Sequence, residues 1–341
     1  MNPMTPKHYN LALLGFGNVG RALARLLERK AAEVKARYGI TYTITGIATG
    51  RHGALIAPAG VDVPAALQSV ESGGSLGEAL PALEFICRVP ADVLFENTPV
   101  NYESGEPALS HLRAALERGM HAITANKGPV VHGYHALRTL AESRGRKFYF
   151  ESTVMDGAPV FALQRAALPA AQIRLLRGIF NSTTNLILTR MEEEGETFAQ
   201  AVAYAQSIGI AETDPSGDVD GWDAAVKVAA LVTVYMDTPF TPQMVERQGI
   251  RNISLEEVRA AQAQGFRWKL VCEAAREGDS IRARVAPKKV APDSPLYGVR
   301  GTSSILEIES DVLGKLSLIE EDPGPHTTAY GLFADFLNAV R

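Results

Sequence analysis

In the first half of the chain, short unbroken apolar runs alternate with stretches of helical length. Tyr9–Gly15 (YNLALLG) has the length and character of a strand buried on both faces, as parallel strands are. A glycine turn follows. Apolar positions at Val19, Leu23, Leu26 and Leu27 then predict a helix from about Val19 to Arg37. Thr41–Ala48 (TYTITGIA) alternates β-branched residues and predicts a second strand, and residues 50–82, rich in Gly, Pro and Ala, predict loops and short helices. Asp92–Asn97 predicts another buried strand and Pro107–Arg118 a helix. His121–Ala125 then predicts a strand, Tyr134–Ser143 a helix and Lys147–Thr153 a strand. Such regular alternation argues for βαβ units and an α/β fold whose parallel sheet is covered on both faces.

Near residue 150 the rhythm changes. A helix over Pro159–Leu168 and a strand over Ile173–Phe180 precede helices near 184–193, 197–207 and 222–236. Segments 281–291 and 304–319 alternate apolar and polar residues, as strands of a half-exposed sheet do. The pattern predicts two domains. Residues 1–150 with 320–341 form the first, Ala329–Val340 packing back on it as a helix. Residues 151–319 form the second, a mixed α+β domain.

A chain of 341 residues has room for two such cores. Hydrophobic residues make up 46% and charged residues 21%, an ordinary globular balance. The net charge of −4 and the lack of a long basic run argue against a nucleic-acid partner. No stretch reaches the roughly 18 apolar residues of a membrane span, and Ala224–Met236, the most apolar run, is interrupted by Lys227. Met1 to Asn10 is polar and leads straight into the first strand, so it reads as part of the fold and not as a cleaved signal. The expectation is a soluble, cytoplasmic protein. Cys87 and Cys272 stand alone, without metal-type spacing. They are expected as small buried hydrophobes in a reducing compartment.

Gly15-Phe16-Gly17-Asn18-Val19-Gly20 is GxGxxG set between a strand and a helix. Gly15 permits the tight turn, Gly17 lets backbone approach a pyrophosphate, and Gly20 lets helix and strand pack closely. That context makes the first domain a Rossmann-type dinucleotide site. The second strand ends in Ala48-Thr49-Gly50-Arg51-His52, with no carboxylate before Asp62. A guanidinium suits a 2′-phosphate, so Arg51, with Thr49 and His52, points to NADP. A solvent-facing loop arginine is the other reading.

Residues 209–227 place five carboxylates within twelve positions: Glu212, Asp214, Asp218, Asp220 and Asp223. Asp223 and Lys227 share one face at the start of an otherwise apolar helix. A solvated acidic loop with one surface ion pair would look the same. If the lysine is partly buried, burial lowers its proton affinity and the carboxylates raise it, a balance that sequence leaves open. Lys127, in Thr124-Ala125-Asn126-Lys127-Gly128-Pro129, follows a first-domain strand, at the end where open α/β sheets bind ligands.

These residues and their order resemble the homoserine dehydrogenases. The matching segments are GFGNVG (15–20), ENTPVNYESGEPA (96–108), TANKGPV (124–130) and ESTV (151–154). They continue with GIFNSTTNLIL (178–188), AETDPSGDVDGWDAAVK (211–227), GTSS (301–304) and TTAYGLFAD (327–335). No kinase region or regulatory extension is seen, so the short monofunctional form is the one resembled. The resemblance implies NADPH-dependent, reversible reduction of L-aspartate 4-semialdehyde to L-homoserine, in threonine, methionine and isoleucine biosynthesis, with NADH possible. It implies Lys227 as proton donor and acceptor and Lys127 as a second essential lysine. Glu212, Asp218 and Asp223 would bind the amino acid. Thr98, Ala125 and Lys127 would line the nicotinamide half of the cofactor, with Gly324 nearby. A sodium ion held at Glu151, Val154, Asp156 and Ala158, and a homodimer paired through second-domain sheets, are implied too. The chain departs from the family at Glu320-Glu321-Asp322-Pro323-Gly324, where only Gly324 keeps a family glycine. The alternative is a paralogue that keeps fold and cofactor but acts on another amino-acid aldehyde or carbonyl. A non-catalytic NADPH-binding subunit is a third reading, which both lysines disfavour.

Overall fold

The computed structural model describes residues 6–341; Met1–Thr5, the start of the polar lead-in, lie outside the described residues. In chain order the elements are β1 (Lys7–Leu14), α1 (Asn18–Tyr38), β2 (Ile40–Ala48), β3 (Ala54–Ile56), α2 (Val63–Glu71) and α3 (Ala82–Arg88). Next come β4 (Val93–Glu96), α4 (Ala108–Glu117), β5 (His121–Thr124), α5 (Lys127–Ser143), β6 (Phe148–Tyr149) and α6 (Val160–Ala167). They are followed by β7 (Ile173–Ile179), α7 (Ser182–Glu193), α8 (Phe198–Ser207), α9 (Ser216–Val219), α10 (Trp222–Tyr235) and β8 (Glu246–Arg247). The chain ends with α11 (Leu255–Ala263), β9 (Arg267–Glu277), β10 (Ser280–Val290), β11 (Ser304–Ser310), β12 (Gly314–Glu320) and α12 (Pro325–Val340).

The chain divides into two compact units, one running to Pro159 and resuming at Gly324–Arg341, the other Val160–Pro323. In the first unit the sheet order is β3-β2-β1-β4-β5-β6, parallel except for β3. Neighbouring residues of β1 feed opposite faces. Leu11 and Leu13 join a core with Leu23 and Leu27 of α1 and Leu332 and Phe336 of α12, while Ala12 and Leu14 join Phe85, Ile86 and Ala115. Both faces are dry, which is why the sequence there is apolar without alternation.

Several elements differ from the sequence pattern. The segment expected as strand Lys147–Thr153 pairs only at Phe148–Tyr149 and then curls into a 3₁₀ turn at Glu151–Thr153. There the Glu151 N–H donates to Asp335 Oδ2 (2.7 Å) and Ser152 Oγ to Thr328 O (2.7 Å), so the segment is stitched to α12 instead of a neighbouring strand. Helix α5 begins seven residues before the expected Tyr134. Asn126 caps it by accepting from Gly128 N (3.0 Å), and Pro129 sits in the first turn, where a missing N–H costs nothing. The loop region 50–82 holds a short antiparallel strand, β3, and one helix, α2, and ends where α3 begins. Cys87 is exposed, contrary to expectation, and Cys272 is buried.

The second unit has a mixed sheet in the order β12-β11-β7-β9-β10-β8, antiparallel except for β8 beside β10. The expected strand 304–319 is a hairpin, β11 and β12, that turns at Asp311–Leu313. Strand β9 and helix α11 complete the unit. Along α10 only Trp222 is exposed and Lys227 half-buried, the rest being buried. Among the described residues no helix is long and apolar enough to cross a membrane.

Candidate active site

The glycine turn of the first unit is fixed by backbone contacts. Gly15 sits at φ +95°, and a Cβ there would lie 2.3 Å from the Asn97 carbonyl oxygen. A Cβ on Gly20 would lie 2.4 Å from the Gly15 carbonyl oxygen, so α1 closes on the turn only through glycine. Gly17 is different: nothing lies within 4 Å of the Cβ position. It caps α1 without a side-chain hydrogen bond, leaving the first-turn N–H groups to a ligand. Phe16 is core, Asn18 is exposed and bonded to Arg21 (2.8 Å), and Val19 is half-buried. Beside the turn, the Asn97 side-chain amide is buried and neither of its polar atoms has a protein partner. An open approach at Gly17 and an unsatisfied amide at the carboxyl end of β4 fit a dinucleotide.

After β2, Thr49 Oγ1 accepts from His52 N (2.6 Å) and Arg51 N (3.3 Å), which spends its hydroxyl on the loop and leaves Arg51 exposed. Asp62, the next carboxylate along the chain, caps α2 through Ala65 N (3.0 Å). At the ends of β4 and β5 a fully buried carboxylate, Glu96, organises the corner. Its Oε1 accepts from Thr98 N (3.1 Å) and from the Thr98 hydroxyl, and its Oε2 accepts from Thr124 Oγ1 (3.0 Å). Thr124 Oγ1 accepts from Asn126 N (2.9 Å), and Asn126 Nδ2 donates to Thr98 O (3.2 Å). Thr98, half-buried Ala125 and half-buried Lys127, first residue of α5, are thus gathered on one rigid corner.

In the second unit Lys227 projects from α10 with 13% of its side chain exposed. Its Nζ donates to Phe180 O (2.6 Å) and lies 3.1 Å from Asp223 Oδ2. Asn181 Nδ2 donates to Asp218 Oδ1 (2.6 Å) and to Asp223 Oδ2 (3.0 Å). Burial, and then the neighbouring Asp223, push the Asp218 carboxyl above its ordinary range. Burial drives the nearby Cys272 thiol up to about 12, which keeps it protonated. Lys227, Asp218 and Asp223 therefore form one hydrogen-bonded cluster. Glu212 stands outside it: it is exposed, and its backbone carbonyl is held by Gln206 Nε2 (3.1 Å). Asp214 and Asp220 are engaged elsewhere, with Ser216 N and Arg251.

The residues expected around a cation share one turn of the first unit. Glu151, Val154 and Ala158 are buried, and Ala158 N donates to Met155 O (2.8 Å). Asp156 has φ +37°, and its Oδ1 accepts from Thr328 Oγ1 (2.6 Å). Among the described residues no group of three or more His, Cys, Asp or Glu side chains is placed to hold a metal. Gly324 caps α12, its N–H donating to Thr327 Oγ1 (2.9 Å).

Two family models match along the chain: the homoserine dehydrogenase NAD-binding domain over residues 15–151 and homoserine dehydrogenase over residues 159–337. The chain belongs to the homoserine dehydrogenase family. An NAD(+)-dependent homoserine dehydrogenase from Pseudomonas canavaninivorans is 37% identical over 338 residues, covering 97% of this chain and 96% of the relative. The homoserine dehydrogenase of Methanocaldococcus jannaschii is 33% identical, with 96% and 98% covered. A hyperthermophilic archaeal homoserine dehydrogenase solved with NADPH is 30% identical at a TM-score of 0.82, with 98% of each chain covered. This homoserine dehydrogenase family member is thus an oxidoreductase with a Rossmann-type NAD(P)-binding unit and a second, mixed-sheet unit.

Sequence reasoning passed over three polar residues of the two sites. Glu96 lies in the quoted ENTPVN segment, but a carboxylate inside an apolar strand carries no sign of what it holds. Asn181 precedes a helix at Ser-Thr-Thr, an N-cap signal that marks a helix start and not a site. Asn97 lies in the same segment, at the end of the expected strand, where nothing local marks its amide as one without a protein partner.

Proposed function

We propose that the enzyme reduces L-aspartate 4-semialdehyde to L-homoserine, reversibly and with NADPH preferred over NADH. The observation that carries this is the second-unit cluster, where one half-buried amine is held by a carboxylate and a backbone carbonyl beside a second carboxylate. A bound NAD(P)H supplies the hydride. Lys227 gives its proton to the aldehyde oxygen as negative charge develops there, and neutral Lys227 takes the hydroxyl proton back in the reverse direction. Asp218 and Asp223, with Glu212 at the exposed end of the loop, bind the substrate ammonium. Lys127, on its locked corner, contacts substrate and the nicotinamide half of the cofactor together with Thr98 and Ala125. Gly15–Gly20 hold the pyrophosphate, and Gly324 lies along the cofactor.

Support for NADPH comes from exposed Arg51 after β2, with Thr49 shaping its loop and the nearest downstream carboxylate committed to a helix cap. The NADPH complex of the archaeal relative agrees with this, while the Pseudomonas relative is NAD(+)-dependent. If a monovalent cation binds, backbone oxygens around Glu151, Val154, Asp156 and Ala158 supply its ligands, a donor set that suits sodium better than a divalent ion. The protein works as a cytoplasmic homodimer paired through its second-unit sheet, in the supply of homoserine for threonine, methionine and isoleucine.

The test follows NADPH absorbance with aspartate semialdehyde and with other amino-acid carbonyl compounds. Lys227→Ala should lose about 10³-fold in turnover while still binding NADPH. Wild-type turnover of another carbonyl compound in preference to the semialdehyde would overturn the assignment. Arg51→Ala should narrow the NADPH-to-NADH ratio of kcat/KM, and an unchanged ratio would remove Arg51 from cofactor choice.

A further inference from the structure

The turn between β7 and α7 touches every member of the second-unit cluster. The Phe180 carbonyl accepts from Lys227 Nζ (2.6 Å), and the next side chain, Asn181, reaches both carboxylates. Asn181 is 4% exposed. Its Oδ1 accepts the Thr184 N–H at 2.8 Å, capping α7. That bond fixes which way the amide points, so Nδ2 faces Asp218 and Asp223 and has no alternative orientation. One nitrogen spends both of its N–H donors on two like-charged groups, at 2.6 and 3.0 Å. Asp223 Oδ2 receives Lys227 as well, at 3.1 Å.

Two carboxylates drawn to one nitrogen repel each other, and Asp218 is partly buried, so their pairing needs a donor between them. Lys227 alone does not supply it, because its amine lies against Asp223 and the Phe180 carbonyl. We propose that Asn181 is a positioning residue for the reaction: its amide clamps Asp218 and Asp223 together at the spacing that receives the substrate ammonium, and holds Asp223 where it orients Lys227. The inference rests on the substrate-binding role given to these carboxylates above. With its Oδ1 spent on Thr184 N and both Nδ2 donors on Asp218 and Asp223, Asn181 acts through its two partners.

The chemistry of the side chain separates this role from capping. Aspartate and serine both cap helices well, so Asn181→Asp and Asn181→Ser retain an acceptor for Thr184 N while removing the N–H donors. Asn181→Asp also sets a third carboxylate against the other two. The experiment measures, for wild type and both variants, kcat and KM for aspartate semialdehyde, the NADPH Kd by fluorescence, and Tm. The expected result is a fall in kcat/KM of about 30-fold or more in Asn181→Asp, carried mainly by KM, with a smaller fall in Asn181→Ser. The NADPH Kd should stay within about twofold, since the glycine turn is in the other unit. If Asn181→Ser melts like wild type and keeps kcat/KM within about threefold, the clamp is not needed and the inference is wrong. Should Asn181→Asp fail to fold, Asn181→Ser decides alone. A wild-type enzyme inactive on the semialdehyde would refute the function proposed above and leave the clamp to be read from the KM of whichever amino-acid substrate it does turn over.

Discussion

In the proposed mechanism a single residue, Asp218, sets a working range. Burial and Asp223 hold its carboxyl above the ordinary aspartate value, with Asn181, Thr183 and Lys227 acting in the opposite direction. Binding an ammonium needs the ionised form. As pH falls through the raised pKa, Asp218 takes up a proton and its counter-charge is lost, so kcat/KM for the amino-acid substrate should drop at a higher pH than an ordinary aspartate would give. The pH profile of kcat/KM checks this, and an acid limb at the ordinary aspartate position would exclude Asp218 from ammonium binding. Asp218→Asn should weaken the pairing by the worth of a charge-assisted hydrogen bond, about 1.5–3 kcal/mol, or roughly ten- to a hundredfold in kcat/KM. Glu212→Gln should cost less, because its carboxylate is exposed and solvent screens it.

Among the elements, the β1–α1 turn separates shape from binding. Gly20→Ala forces a Cβ against the Gly15 carbonyl at 2.4 Å, a backbone atom that cannot swing away, so both Tm and cofactor affinity should fall. Gly17→Ala meets no atom within 4 Å and should leave Tm close to wild type while weakening NADPH binding, if the pyrophosphate is held at this turn as proposed. Calorimetry and fluorescence titration distinguish the pair; equal losses of Tm in both would contradict it. The same elements show what was legible in the chain. Strand β1, the glycine turn and α1 could be read because strand length, φ requirement and helical period agree at one place. Lys227 on α10 could be read because a lone charge stands out in an apolar helix. Strand β6 could not: the run KFYFEST keeps a strand's composition after Tyr149, but the Glu151 N–H goes to Asp335, 184 residues downstream, and the Thr153 N–H turns back to Phe150 O. The first two turns of α5 stay hidden in the sequence because Gly128-Pro129 looks like a break unless the cap at Asn126 is recognised first. The Asn181 clamp depends on carboxylates 37 and 42 residues away, and no local pattern encodes such a meeting.

At the scale of the whole molecule, one buried charge should mark stability. Lys269 is 1% exposed, and its amine donates to Asn185 Oδ1 (3.0 Å) and to Val299 O. Burial lowers its pKa from the ordinary 10.5 to about 8, with Glu192 opposing the shift. Between those values the unfolded chain holds a proton that the folded one has released, so raising pH through this window favours the folded state. Below it the buried charge opposes folding. Denaturation at about pH 7 and about pH 10 should show wild type gaining on Lys269→Met, and a constant difference would refute the shift. Topology carries a different consequence. Phe336 of α12 stacks edge-on against Tyr9, Tyr42 and Phe95, and Tyr9 Oη donates to Val340 O at 3.2 Å. A nascent chain emerging from the ribosome therefore presents β1, β2 and β4 long before the helix that seals them. The nucleotide-binding half of the molecule must wait, its Leu11 and Leu13 face packed against α1 but still lacking Leu332 and Phe336, while Val160–Pro323 is still being made.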